Sequence, residues 1–141
     1  MNEQHLQQAI LKAAAYMPGV FVLPKPSKHN PIPTQALLDH WQDCRLVLWR
    51  QNTGAAEMTG RGGKRYPIRF GVPGAPDIAG VTRNGRLVGL EVKQPNKEPS
   101  DAQFAYGMLM QSMGAHYDVV RSITDAVAAI ENILSIDSKR L

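Results

Sequence analysis

A chain of 141 residues, 43% hydrophobic and 20% charged, is sized for one domain with a real core and is too apolar to be disordered. Its single cysteine, Cys44, excludes an internal disulfide framework and fits a reducing, cytoplasmic setting. The net charge of +4 is uneven: residues 45–69 hold Arg45, Arg50, Arg61, Lys64, Arg65 and Arg69 against Glu57 alone, so the rest of the chain is slightly acidic. That concentration fits a polyanionic partner or, equally, a solvated basic loop. No apolar run approaches the ~20 residues that span a bilayer, so no membrane partner is expected. The start, "MNEQHLQQAILKAAAY", carries Glu and Gln where an export signal would be basic.

In chain order, the spacing of Leu6, Ile10, Ala13 and Met17 predicts a helix over 3–17, stopped by Pro18-Gly19. Five prolines in 18–33 predict an irregular stretch with a short strand at "VFVL". "TQALLDHWQD" (34–43) reads as a short helix capped by Thr34, with His40 and Trp41 as packing residues. The whole of 18–44 is thus a Pro-rich insertion between first helix and first main strand. "RLVLWRQ" (45–51) reads as a strand, and the Gly- and Arg-rich 52–75 as a long loop. "PDIAGVT" and "RLVGLEVK" are two strands joined around Asn84-Gly85. A helix follows over 98–114, with Ser100 to cap it and Gly114 to end it. "AHYDVVRS" is another strand, and "SITDAVAAIENILSI" a closing helix with Val127, Ile130 and Leu134 on its stripe. The sum is one α/β domain around a mixed sheet.

Within "GLEVKQP" (89–95), Val88, Leu90 and Val92 share one strand face, while Glu91 and Lys93 project from the other. Asp77 opens the preceding hairpin strand, at the end that adjoins Glu91. Two neighbouring carboxylates repel unless a cation lies between them, and a hard divalent ion such as Mg²⁺ suits oxygen ligands. Lys93 would orient a water or offset charge on a phosphate. A surface salt bridge is the plainer reading of an isolated E-x-K triplet. The upstream Pro-Asp, the hairpin and the basic stretch favour a site. Register decides whether it can form: a two-residue turn at Asn84-Gly85 pairs Asp77 with Val92, on the wrong face. A three-residue loop, Arg83-Asn84-Gly85 with Gly85 left-handed, pairs Asp77 with Glu91, and a one-residue bulge elsewhere in either strand restores the same parity, so something other than a plain two-residue type I′ turn is expected.

"GVPGAPDIAG", "LEVKQP" fourteen residues after Asp77, the following Gln-bearing helix and "LWRQNTG" (48–54) together resemble the VRR-NUC family of the PD-(D/E)xK nucleases, in particular its small phage and bacterial members. The resemblance covers about residues 45–125. It implies a restriction-endonuclease-like core, αβββαβ plus a C-terminal helix, and Mg²⁺- or Mn²⁺-dependent cleavage of branched DNA by a cytoplasmic homodimer. By motif position it assigns Asp77, Glu91 and the Val92 carbonyl to metal and Lys93 to the water. Gln103 and Glu3 are further candidates, each with a simpler explanation. Ser100-x-x-Gln103 is also a capping box, and a first-turn Glu is favoured by the helix dipole. Arg50, Asn52, Arg61, Lys64, Arg65 and Arg69 are the candidate DNA contacts. A non-cleaving DNA-binding module and a sequence-specific restriction nuclease are the alternatives.

Overall fold

A computed structural model describes residues 2–25, 35, 39, 42–51 and 54–138, with backbone only for 54–56 and 68–70. The first helix, α1 (Glu3–Ala14), starts where the Asn2 side chain accepts the His5 N–H at 2.8 Å. It buries Leu6, Gln7, Ile10 and Ala14. A short strand β1 (Val20–Val22) runs parallel to β2 (Leu46–Arg50). The chain then makes a separate ribbon, β3 (Gly54–Thr59) and β4 (Arg65–Phe70), before returning as β5 (Ile78–Thr82) and β6 (Leu87–Val92). Helix α2 (Asp101–Ser112), strand β7 (His116–Val120) and helix α3 (Ile123–Ser138) complete it.

The five-stranded sheet has the order β1-β2-β5-β6-β7, with β1/β2 and β6/β7 parallel and the inner pairs antiparallel. It is a mixed sheet flanked by helices, in a mixed α/β chain. One face carries Leu46, Leu48, Ile78, Val88, Leu90, Val92 and Val120. Against it pack Leu6, Ile10 and Ala14 of α1 and Ala126, Ile130 and Ile133 of α3. The other face takes α2, which lies against β7 with Gly107 over the Tyr117 ring. A Cβ at Gly107 would stand 2.4 Å from that ring. At the sheet end opposite Asp77, Asp137 of α3 accepts from His116 at 3.0 Å and lies 3.6 Å from Arg86. Among the described residues no helix is long and apolar enough to cross a membrane.

Two expectations are corrected. The stretch 52–75 is largely a ribbon, not a loop. Pro67 sits in β4 without breaking it because its ladder position points the missing N–H away from β3, which is where edge strands tolerate proline. The buried α3 stripe is Ala126, Ile130, Ile133 and Asp137: Ile130 is on it as expected and Leu134 packs against the core at its edge, but Ala126 takes the buried place expected of Val127. The helix expected at 34–43 lies mostly outside the described residues, as do Thr34, His40 and Trp41. Gln35 and Asp39 are helical, joined by a 2.8 Å hydrogen bond.

Candidate active site

Thr82 and Arg86 close the β5–β6 hairpin, with the Thr82 N–H donating to the Arg86 carbonyl at 2.9 Å. Three residues, Arg83-Asn84-Gly85, form the loop, and Gly85 has φ +84°. Pairs Ile78↔Leu90, Ala79↔Gly89, Gly80↔Val88 and Val81↔Leu87 follow. Continuing that register sets Asp77 opposite Glu91, on the face away from the α1–α3 core. The hairpin is not a two-residue turn, as expected, and of the two routes to the required parity the three-residue loop is the one observed.

Asp77 does more than stand opposite. Its Oδ2 accepts the Val92 N–H at 2.9 Å, and its carbonyl accepts the Gln51 N–H at 2.8 Å, tying three strand ends together. In a strand, one residue's N–H and C=O point to the same side, so the Val92 carbonyl also faces the β5 side. The next ladder donor there would be the N–H of residue 76. That residue is Pro76, which has none. Thus the Pro-Asp dipeptide supplies a carboxylate and leaves the Val92 carbonyl without a ladder donor beside it.

Glu91 is 1% exposed. Its Oε1 accepts from Gln103 Nε2 at 2.8 Å, while Oε2 is buried with no hydrogen-bond donor. Burial, and then the adjacent Asp77 carboxyl by hydrogen bond and by charge, push its pKa up to about 9. Half-buried Lys93 works against this rise, and the charge of Glu3 adds to it. Glu3 is half-buried in the first turn of α1 and acts on Glu91 through its field. No three His, Cys, Asp or Glu side chains cluster as a metal cage among the described residues. Asp77, Glu91 and the Val92 carbonyl make an all-oxygen donor set of the kind a hard cation takes, and the raised Glu91 pKa keeps a proton between the two carboxyls until a cation displaces it. These residues fit Mg²⁺ or Mn²⁺.

Gln103 makes the cap and also reaches Glu91. The Ser100 N–H donates to Gln103 Oε1 at 2.8 Å and the Gln103 N–H to Ser100 Oγ at 3.2 Å, a complete capping box. With Oε1 engaged by the cap, the amide nitrogen is left to face Glu91. The helix start is brought there by Gly74, whose φ is +80° and whose absent Cβ would fall 2.2 Å from the Ala102 carbonyl oxygen. Tyr117 is the residue that sequence reasoning missed. Its hydroxyl donates to the Gln103 carbonyl at 3.3 Å. Burial and the Glu91 and Asp77 charges hold its phenol well above the usual range. The available signal was alternation: Tyr117 pairs with Gly89, two residues before Glu91 on the same face.

The basic residues are less gathered. Arg50 is exposed at the end of β2, but it shares the face of Ile78, across the sheet from Glu91. Arg61, Lys64 and Arg65 are exposed on the ribbon, and Arg65 lies 3.6 Å from Glu57. Asn52 and the Arg69 side chain lie outside the described residues. Comparison with known proteins yields no match: no family model, no curated protein and no solved structure aligns with this chain.

Proposed function

We propose that the chain is a divalent-metal-dependent DNA endonuclease on a restriction-endonuclease-like core. The observation that carries this reading is the buried Glu91 carboxyl held directly across from the Asp77 carboxyl on one sheet face, with Lys93 two residues on. The motif resemblance and the exposed cations of the ribbon support DNA as the substrate, and the resemblance supports branched DNA and a homodimer.

In this reading Asp77, Glu91 and the Val92 carbonyl hold Mg²⁺ or Mn²⁺, which when bound supplies charge stabilisation at the scissile phosphate. Gln103 fixes one oxygen of Glu91, which would leave the other to an ion. Asp77 is held by the Val92 N–H and cannot swing away. Lys93 orients the attacking water and carries positive charge towards the phosphate. Tyr117 and Gly107 keep α2, and with it Gln103, seated on the sheet. The test is cleavage of labelled duplex, flap, splayed and four-way-junction DNA with Mg²⁺, Mn²⁺ or EDTA. Metal-dependent cutting, strongest on a branched substrate, is expected. Absence of cutting on every substrate with either metal would refute it.

A further inference from the structure

The ribbon is an unusual expenditure of chain. Residues 57–67 are exposed on both ribbon faces, apart from half-buried Gly60. Glu57, Thr59, Arg65 and Pro67 alternate with Met58 and Tyr66, which are 43% and 46% exposed. A lone two-stranded hairpin is marginal in water unless something covers it. The tip closes by the Gly60 N–H donating to the Lys64 carbonyl at 2.7 Å, and Gly62 and Gly63 cross it with φ +73° and +75°. It therefore presents bare backbone flanked by Arg61 and Lys64, neither of them in an ion pair among the described residues.

Its roots lie at the site. The ribbon is inserted between β2 and β5, and the strand end at Gln51 is bonded to Asp77 itself. Each strand has six residues, a span of roughly 20 Å from the sheet end that holds the carboxylates. Charge chooses the occupant: three cations against Glu57 call for a polyanion. Width chooses the surface. Strands lie about 4.8 Å apart, and side chains bring a ribbon to the dimension that the ~12 Å major groove admits and the ~6 Å minor groove does not.

We infer that the β3–β4 ribbon is an arm that enters the major groove of duplex DNA beside the scissile phosphate, with Arg61, Lys64 and Arg65 on the flanking phosphates. The inference rests on the proposed action on DNA and adds that the bound flank is double-stranded. The test is equilibrium binding in EDTA of the full chain and of R61E/K64E. The probes are a short labelled duplex and the same duplex with its major-groove edge blocked by glucosylated 5-hydroxymethylcytosine. Thermal melts confirm that the variant is folded. Losing two phosphate contacts should make the slope of log affinity against log salt shallower by about 1.8, a loss of about 60-fold at 0.1 M salt. Glucosylation should weaken the wild type by an order of magnitude or more and leave the variant nearly unchanged. Equal wild-type binding to the two duplexes, or an equal loss in both proteins, would overturn the arm while leaving metal-dependent cleavage intact. Failure to bind any DNA would remove the function reading as well.

Discussion

Loading the site with metal must expel a proton from Glu91. With its pKa pushed up to about 9, about one Glu91 in a hundred is ionised at pH 7, and ionising the rest costs about 3 kcal/mol. A cation that binds only the ionised form therefore releases close to one proton per ion at pH 7. Its apparent affinity should rise about tenfold per pH unit through neutral pH, then flatten above about pH 9. Calorimetric titration of Mn²⁺ into EDTA-treated, dialysed protein, in two buffers of different ionisation enthalpy, counts that proton directly. Repeating it at pH 6 and pH 8 should give affinities about a hundredfold apart. The same shift weakens the dialysed fold as pH rises from about 4.5 to about 9. Over that range the native state retains a proton that the unfolded chain has released. Glu91→Gln should remove both effects. Binding with no proton release and no pH dependence between 6 and 8 would refute the reasoning.

Other perturbations separate chemistry from scaffold. Lys93→Ala should lower turnover by roughly 10²-fold or more while calorimetric Mn²⁺ binding persists, since the proposed function gives Lys93 the water and not the metal. Gly107→Ala should destabilise the fold by about 1–3 kcal/mol in denaturant melts, because the new methyl collides with the Tyr117 ring. It should also lower cleavage, through displacement of Gln103 on the same helix. Asp137→Ala should cost about 2–3 kcal/mol, less than a fully buried pair because the Arg86 side chain keeps some contact with water. Burial raises the Asp137 pKa, but hydrogen bonds from Thr82 and His116 and the His116 and Arg86 charges outweigh it and leave it lowered. This stabilisation is present above the ordinary carboxylate range and is lost as pH falls through the lowered value, so wild type and Asp137→Ala should converge in acid.

What could be read from the chain was what periodicity and turn chemistry determine locally. Gly85 suits the three-residue loop that puts Asp77 and Glu91 on one face, whereas a plain two-residue turn at Asn84-Gly85 would have separated them. Ser100 and Gln103 announced a cap, but the further bond to Glu91 depended on Gly74 admitting the helix start to van der Waals range. The ribbon was illegible for a physical reason. Strands exposed on both faces have no buried alternation to reveal them, and Gly and Pro within them mimic loop composition. Tyr117 and the His116–Asp137 pair were hidden because they meet partners far along the chain, across a parallel pairing and a helix end.

The most direct test of the central claim is Mg²⁺-dependent cleavage of a labelled four-way junction by wild type and Asp77→Ala side by side, with DNA binding measured on the same preparations. The account predicts that wild type cuts, that Asp77→Ala does not, and that both bind. In the proposed function, removing Asp77 takes away a metal ligand and no phosphate contact. An Asp77→Ala protein that cuts at the wild-type rate would contradict it.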